Sequence, residues 1–339
     1  MNTVRSRFRG LIAGSLILVS FLICARGSAA QGVAAKKSES REGKAPMLKH
    51  EYAEVNGVKL HYVKAGKGKL VMFVHGFPEF WYEYKNQLLE FGKDHLAVAP
   101  DMRGYNLSSK PTDLEQYQVK HMVEDIRALA EKLGHKKFTL VAHDWGGAIA
   151  WAFAIAHPDS LDKLVIINAP HPGVFQRELR ENPEQQKASQ YMLMFRSPQA
   201  EQTLSANNYA LLVQIVLGDG LKKGFFTEED KKAYLEAWSQ PGALTGGLNY
   251  YRAARVGPPS GDNKEVVNFA EAIPSLMVKV PTLVIWGEKD TALLTGNLVG
   301  LDKYVPKLTI KRIPDGTHWV IHEKPELING WIREFMSGK

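Results

Sequence analysis

Apolar and polar positions alternate in blocks along most of this chain. The segment EYAEVNGVKLHYVKAG (51–66) alternates apolar and polar residues on both sides of Asn56-Gly57, which predicts a β-hairpin closed by a tight turn. The run LVMFVHGF (70–77) is almost continuously apolar, as in strands that are buried on both faces. Amphipathic segments such as VEDIRALAEKLG (123–134) lie between runs of this kind. Strands that alternate with helices predict a mostly parallel sheet flanked by helices.

This alternation breaks between about Pro172 and Asp262. KLVIINAP (163–170) is the last strand-like run before the break, and PTLVIWGEKD (281–290) is a clear one after it. The stretch between them is rich in aromatic residues and in helical patterns and holds no convincing buried strand. We interpret it as a helical cap over 172–262, inserted into an α/β core made of 50–171 and 263–339.

The first thirty residues have the composition of a targeting signal. Three arginines precede an apolar run at 11–24, and small residues follow at 28–30, which is the arrangement of a secretory signal peptide. A membrane anchor is the alternative, although the run is shorter than the ~20 residues that span a bilayer. We expect export to the periplasm or beyond after cleavage near Ala30, and a polar, flexible leader over 31–49.

The charge and the cysteine content exclude few classes of function. The formal net charge is +7, but the first 30 residues hold four arginines and no acidic residue, so a cleaved chain would carry 7 − 4 = +3. This balance gives no argument for nucleic-acid binding. Cys24 is the one cysteine, so the cleaved chain would have neither disulfides nor thiolate metal ligands. With no glycine-rich phosphate loop and no cluster of metal ligands in the sequence, we expect no cofactor.

The stretch VAHDWGGAIAW (141–151) suggests the first candidate for chemistry. An apolar run stops at Asp144, two glycines follow at 146 and 147, and a helical pattern begins. This is the strand, sharp turn and helix of a nucleophile elbow, with an aspartate at the exposed position in place of serine. By itself, Asp144 could equally be a residue at a strand end that caps the next helix.

Two further residues at strand ends support the catalytic interpretation. Asp290 closes LVIWGEKD, and His318 lies in PDGTHW after another strand. Each has a plain alternative, as a helix cap or a loop histidine. The order of nucleophile, acid and histidine along the chain is that of the α/β-hydrolase triad, which predicts Asp144, Asp290 and His318 as a catalytic set.

At these motifs the chain resembles the α/β-hydrolase superfamily, and within it the epoxide hydrolases, over roughly residues 50–337. HGFPE together with HDWGG is quite specific, whereas GxxD near a strand end is weak by itself. The motifs that carry the resemblance are HGFPEFWYEY (75–84), DMRGYNLSSKP (101–111), HDWGG (143–147), WGEKD (286–290) and GTHW (316–319).

An aspartate suits displacement at a saturated carbon. Because its ordinary pKa is about 3.9, an aspartate is already anionic near neutral pH. Attack would give an alkyl ester on Asp144, which a water activated by His318 and oriented by Asp290 would then hydrolyse. The resemblance implies that the backbone N–H groups of Phe77 and Trp145 hold the oxyanion of this second step.

The leaving group decides the substrate. An opening epoxide needs a proton donor opposite Asp144, whereas a departing halide needs only N–H donors. The cap segments QYMLMF (190–195) and LNYYRAA (248–254) resemble those that carry the epoxide hydrolase tyrosines, which implies Tyr191 and Tyr251 as the acid pair. Packing at the interface between cap and core is the plain alternative for both.

Two other functions stay open. A haloalkane dehalogenase fits Trp145, where that family places a halide-binding indole, but Phe77 stands where many such enzymes have asparagine. A fluoroacetate-type dehalogenase fits less well, because Trp145 and Ala148 occupy positions where that group has arginines. An exported binding protein on the same scaffold would usually have lost a triad residue.

The expected partners are a small apolar epoxide and water, without nucleic acid or a stable membrane anchor, and a homo-oligomer is left open. Four apolar residues are expected to line the substrate pocket, although core packing explains them equally well: Phe80, Trp81, Met194 and Phe195.

Overall fold

The computed structural model of the protein describes residues 46–260 and 276–338. The predicted signal peptide (1–30) and all but the last four residues of the predicted leader (31–49) lie outside the described residues. The first strand begins at Lys49, at the end of the predicted leader.

An eight-stranded sheet forms the centre of the described chain. Its strands are β1 (Lys49–Val55), β2 (Val58–Gly66), β3 (Leu70–Val74), β4 (Leu96–Pro100), β5 (Phe138–His143), β6 (Leu161–Ile167), β7 (Thr282–Gly287) and β8 (Leu308–Ile313). Their order in the sheet is β1-β2-β4-β3-β5-β6-β7-β8. β2 is antiparallel to both of its neighbours, and all other pairs are parallel. Strands β3, β5 and β7 are buried along their whole length, as their continuous apolar sequences predict.

The predicted hairpin is confirmed at Asn56-Gly57. Val55 pairs with Val58, so only two residues form the turn between β1 and β2. Asn56 has φ +48° and Gly57 has φ +78°, the positive values that a type I′ turn requires at both central positions. Asparagine and glycine tolerate this conformation better than other residues do, which is why the sequence signal was specific.

Helices cover the sheet where the sequence is amphipathic. Those outside the cap are α1 (Lys85–Phe91), α2 (Val119–Lys132), α3 (Asp144–Ala156), α11 (Val320–Glu323) and α12 (Pro325–Ser337). In α2 the residues Met122, Ile126 and Leu129 recur at helical spacing and are fully buried, whereas the opposite face carries charge.

Between β6 and β7 the described chain is mostly helical, in the segment that we interpret as a cap over 172–262. Residues 261 and 262 of that interpretation, and 263–275 of the predicted core, lie outside the described residues. The cap helices are α4 (Pro172–Glu181), α5 (Pro183–Ala188), α6 (Tyr191–Arg196), α7 (Ala200–Leu212), α8 (Gly218–Lys223), α9 (Glu228–Trp238) and α10 (Ala243–Ala254). Helix α7 is interrupted at Ala206–Tyr209, where Asn207, Asn208 and Tyr209 have positive φ, and a turn of π-helix follows at Val213–Leu217.

The cap helix α10 packs closely on the loop that follows β4. A Cβ atom on Gly246 would lie 2.2 Å from the carbonyl oxygen of Gly104, so only glycine permits this approach of the two backbones. The Tyr250 hydroxyl donates a hydrogen bond to the carbonyl of Arg103 at 2.8 Å. Among the helices of 46–260 and 276–338, none is long and apolar enough to span a membrane.

Candidate active site

Asp144 lies at a strained turn between β5 and α3, as the elbow motif predicts. Its φ is +49°, a costly conformation for a residue with a side chain. Small residues surround the turn because strand, loop and helix nearly touch there. A Cβ atom on Gly146 would lie 2.1 Å from the Val74 oxygen, and one on Gly76 would lie 2.4 Å from Asp144 itself. The turn therefore holds the carboxylate above the carboxyl ends of the strands.

The structure brings the three predicted triad residues together. Asp290 follows β7 and His318 follows β8, and these strands are neighbours in the sheet. His318 Nδ1 lies 2.7 Å from Asp290 Oδ2, and His318 Nε2 lies 3.6 Å from Asp144 Oδ2. Since the carboxylate of Asp290 accepts the Nδ1 proton, the Nε2 edge of the ring faces the carboxylate of Asp144.

Asp290 is held by more donors than the sequence suggested. The backbone N–H groups of Ala292 and Leu293 donate to its Oδ1 at 2.8 and 2.9 Å, and the Asn168 side chain donates to its Oδ2 at 2.8 Å. Burial opposes the charge of Asp290, but His318 and these hydrogen bonds outweigh it and lower the pKa of the carboxyl. The acid therefore stays ionised beside the histidine.

The surroundings of His318 favour its charged form. Burial disfavours an imidazolium, but the opposing carboxylates, Asp290 foremost and then Asp144, raise the pKa of His318 to about 9. In the resting protein at neutral pH the ring is therefore an imidazolium between two carboxylates. Esterification of Asp144 would remove one of these charges and lower the pKa of His318.

One predicted oxyanion donor already contacts the nucleophile. The Phe77 N–H donates to Asp144 Oδ1 at 2.7 Å. His75 fixes this loop, because its Nε2 accepts from the Met102 N–H at 3.0 Å, which leaves Nδ1–H to donate to the Gly76 carbonyl at 2.9 Å. Trp145, the second predicted donor, is the second residue of α3, where helix N–H groups point toward the N-terminal end and the nucleophile.

Tyr191 on α6 and Tyr251 on α10 lie on the cap side of the same site. Their ring centroids are 6.4 Å apart. Burial raises the pKa of both hydroxyls well above 10, and the charge of Asp144 raises each further. The side chain of Trp145 makes a hydrogen bond to Tyr251 and packs edge-on against it at 5.1 Å. Both tyrosines thus retain a proton close to Asp144.

Asp144 and the two tyrosines line one cavity. Its volume is about 490 Å³, including the space at its opening. Apart from Asp144 and the hydroxyls of the tyrosines, its wall is largely apolar, which suits a small apolar ligand. The lining residues are Asp144, Trp145, Ala148, Pro170, Pro172, Phe175, Tyr191, Met192, Tyr251, Val256 and Leu293.

Comparison with known proteins identifies the family of this fold. The α/β-hydrolase fold family matches residues 69–325. The chain is 37% identical to the AB hydrolase superfamily protein YfhM of Bacillus subtilis, over 86% of this chain and 99% of that one. It is 36% identical to epoxide hydrolase 4 of Mus musculus, over 85% of this chain and 79% of the relative.

Solved structures of epoxide hydrolases are also similar to this chain. The crystal structure of an epoxide hydrolase from Bacillus megaterium in complex with an inhibitor has a TM-score of 0.80 and 39% sequence identity, covering 85% of this chain and all of that one. The chain belongs to the epoxide hydrolase family of the α/β-hydrolase superfamily. It is therefore a hydrolase enzyme.

In this member of the epoxide hydrolase family, the four apolar residues predicted to line the pocket lie elsewhere than on the cavity wall described above. Phe195 packs behind Tyr251 at a ring distance of 5.1 Å. Phe80 stacks on Tyr82, and Trp81 meets Tyr82 edge-on, so both belong to a neighbouring aromatic cluster. Met194 is half-buried on α6 and packs against the core. Contact of these four with substrate stays a prediction.

Sequence reasoning missed several buried polar residues of the site. Asn168 has φ +38° at the end of β6, and its side chain both donates to Asp290 and accepts from the Gly287 N–H at 2.9 Å. A polar residue directly after a buried strand was the available signal. Glu83 and His143 lie fully buried beneath the triad. In the described ranges, no group of three or more His, Cys, Asp or Glu side chains could hold a metal ion.

Proposed function

We propose that the protein hydrolyses a small apolar epoxide to a vicinal diol through a covalent ester on Asp144. The observation that carries this proposal is the pair of protonated tyrosine hydroxyls that share a largely apolar cavity with Asp144, whose backbone is strained. The family's other members that carry the name epoxide hydrolase support the reaction class.

In the first step, Asp144 attacks a ring carbon of the epoxide and the carbon–oxygen bond breaks. The departing oxygen takes a proton from Tyr191 or Tyr251, which gives an alcohol, an ester and a tyrosinate. Because burial makes a tyrosinate costly, it regains a proton, and the His318 imidazolium is the nearby acid that can supply it. His318 is then neutral, with the ester in place of one of its two carboxylate neighbours.

In the second step, neutral His318 takes a proton from water, and the resulting hydroxide adds to the ester carbonyl of Asp144. The N–H groups of Phe77 and Trp145 hold the oxyanion, an interaction worth about 3–4 kcal/mol per donor in related sites. Collapse of this intermediate releases the second diol oxygen, which takes a proton from His318. Asp144 is left as a carboxylic acid and passes its proton to His318, which restores the carboxylate and the imidazolium of the resting protein. The net reaction adds one water to one epoxide.

The runner-up is release of a halide from a haloalkane by the same triad. It needs the Trp145 indole as a halide ligand. The hydrogen bond between the Trp145 side chain and Tyr251 argues against this, because that donor already serves the tyrosine.

A paired assay separates the two reactions. The purified protein is given an aryl or alkyl epoxide and, separately, a bromoalkane, and the release of diol and of bromide is measured. Diol without bromide is expected. Bromide without diol would overturn the epoxide assignment, and neither product from folded protein would favour a binding function.

The covalent step has its own test. In a His318→Gln variant the ester on Asp144 should accumulate, and intact-mass spectrometry followed by peptide mapping should find the epoxide's mass added at Asp144. Wild-type protein and an Asp144→Ala variant serve as controls without a stable adduct. An unmodified His318→Gln protein after exposure to a turned-over epoxide would contradict the ester mechanism.

We further propose that the enzyme acts outside the cytoplasm after cleavage near Ala30, on the strength of the arginines, the apolar run and the small residues at its N-terminus. N-terminal sequencing of the protein recovered from the periplasm or medium tests this. A chain that keeps residue 1 and stays in the cytoplasm would contradict it.

A further inference from the structure

A buried carboxyl group lies directly beneath the triad without a role in the steps above. Glu83 belongs to the short 3-10 helix Trp81–Tyr84, and His143 is the last residue of β5, directly before the nucleophile. Both side chains have 0% exposure, and Glu83 Oε1 lies 2.5 Å from His143 Nδ1. The groups meet off the ideal hydrogen-bond direction, and within the described residues these atoms have no other hydrogen-bond partner. At this distance two lone pairs would repel, so a proton must lie between the atoms.

The other nitrogen of His143 shows where that proton comes from. His143 Nε2 lies 2.9 Å from the backbone carbonyl oxygen of His318. A carbonyl only accepts, so Nε2 must carry a hydrogen. In a neutral ring Nδ1 then has a lone pair, and the proton at the short contact belongs to Glu83. The alternative is an imidazolium paired with an ionised Glu83.

The groups around the pair favour the neutral form. Burial and then Glu79 raise the pKa of Glu83 well above its usual value, and burial and then His318 lower the pKa of His143 to about 3. The other charged or titratable groups that face Glu83 are His322, Asp144, His318 and, on its own helix, Tyr84.

Glu79, one turn before Glu83, provides a contrast. Its carboxylate accepts the Tyr234 hydroxyl at 2.6 Å and contacts His322 Nε2 at 3.0 Å. Apart from the contact with His143, neither carboxyl oxygen of Glu83 has a hydrogen-bond partner within the described residues, so nothing there offsets the cost of burying a charge on Glu83.

We propose that Glu83 is a positioning residue that acts as a protonated acid: it donates to Nδ1 of His143, fixes the Nε2–H form of that ring, and so holds the backbone of His318 against the strand that carries Asp144. The kinetic part of this inference rests on the proposed epoxide hydrolysis. The rings of His143 and His318 are 4.6 Å apart, so a shift of His143 would reach the base directly.

A neutral Glu83 also matters for the charge of His318. An ionised Glu83 is among the groups that would raise the pKa of His318 and keep the ring protonated. Held as an acid, Glu83 adds no charge to the site, and His318 is free to become neutral once Asp144 is esterified. The pair of Glu83 and His143 therefore supplies a hydrogen bond without adding a charge that would raise the pKa of His318.

Three variants test this inference: Glu83→Gln, Glu83→Leu, and Glu54→Gln as a control at an exposed glutamate on β1. Rates of ester formation and ester breakdown are measured separately in single turnovers over a range of pH, after circular dichroism has shown that each variant is folded. The Gln amide donates to Nδ1 as the acid does, so Glu83→Gln should keep the breakdown rate within about threefold and its pH profile unshifted. Glu83→Leu should slow ester breakdown by about tenfold and ester formation less.

A lower-pH shift of the breakdown profile in Glu83→Gln would show that Glu83 is ionised in the wild type and would overturn the proposal. Equal breakdown rates in wild type and Glu83→Leu would do the same.

A second measurement does not depend on turnover. NMR of the wild-type protein with 15N-labelled histidine, assigned with a His143→Gln variant, should show His143 as the neutral Nε2–H tautomer from about pH 5 to 9. An imidazolium signal would overturn the neutral pair. If the wild type opens no epoxide and forms no ester, the proposed function fails, but the tautomer still decides the state of Glu83 and His143.

Discussion

The two walls of the cavity hold their functional groups in different ways. On the core side, Asp290 has three N–H donors besides His318, and Asp144 is bound by the Phe77 amide at a strained turn. On the cap side, Tyr191 and Tyr251 lie among aromatic rings, with one hydrogen bond from Trp145 to Tyr251. The charged groups must keep both their ionisation and their direction, which requires directed donors. The hydroxyls need only keep a proton, and burial is sufficient for that.

The largest expected effect lies on the core side. In Asp290→Asn the amide can donate to His318 Nδ1, which would favour the wrong tautomer and leave a protonated Nε2 facing the water, where the base is needed. An equivalent change in a serine protease costs about 10⁴-fold in turnover. We expect ester breakdown to fall by that order, with ester formation retained, as measured by single-turnover quench and mass spectrometry.

Asp315→Asn is the matched control for this change. Asp315 is exposed and paired with Lys324, so its loss should leave both rates unchanged. An Asp290→Asn variant that turns over at the wild-type rate would remove Asp290 from the triad.

The next effect lies on the cap side and concerns ring opening. Tyr191→Phe and Tyr251→Phe should each slow ester formation by about 10²-fold, because a positioned proton donor contributes at least that much. Breakdown of an ester once formed should change little. Tyr250→Phe is the control, since its hydroxyl bonds the Arg103 carbonyl and not the site. Ester formation at the wild-type rate in both variants would leave the two tyrosines as packing residues.

The triad residues on the core side and the tyrosines on the cap side were not equally predictable from sequence. The nucleophile, acid and histidine follow strands, and parallel strands bring their carboxyl ends to one edge, so order along the chain implied proximity. The hairpin at Asn56-Gly57 and the elbow glycines followed from local backbone geometry. The cap tyrosines came from a resemblance, because short helices that pack through aromatic rings have no periodic signal that fixes which ring faces the cavity.

What the sequence could not show were contacts between distant segments. The side chain of Asn168 bonds Asp290, which lies 122 positions later in the chain. Glu83 contacts His143 only in the folded sheet, whose strand order cannot be read from the sequence. The four residues predicted to line the pocket lie off the wall of the cavity described above, and their contact with substrate stays a prediction. Phe80 and Trp81 follow a motif that lies at the site, but their rings pack into the neighbouring cluster with Tyr82.

A pH measurement sharpens the contrast between the walls. Asp144→Asn removes a carboxylate 3.6 Å from His318 Nε2 and should lower the pKa of His318 below its value of about 9. Because that pKa is raised in the folded state, the imidazolium stabilises the fold fully below about pH 6.5, and this contribution is lost as pH rises through 9. The loss should therefore come at lower pH in Asp144→Asn than in the wild type. NMR titration of His318 and urea unfolding between pH 6 and 10 measure the pKa and the loss of stability. An unchanged His318 titration in Asp144→Asn would mean that the charge of Asp144 does not affect the pKa of His318.

The smallest expected effect lies where the two walls meet. Trp145→Phe keeps the backbone N–H and most of the ring contact with Tyr251, but it removes the indole donor. A lost hydrogen bond of this kind is worth about 0.5–1.5 kcal/mol, so ester formation from an epoxide should slow by only about two- to tenfold, with breakdown unchanged. The same variant should show no special loss with a bromoalkane, because a halide site is not expected. A bromide-releasing activity in the wild type that disappears in Trp145→Phe would reverse the assignment, because the indole would then serve a leaving halide and the cap tyrosines would serve only to enclose it.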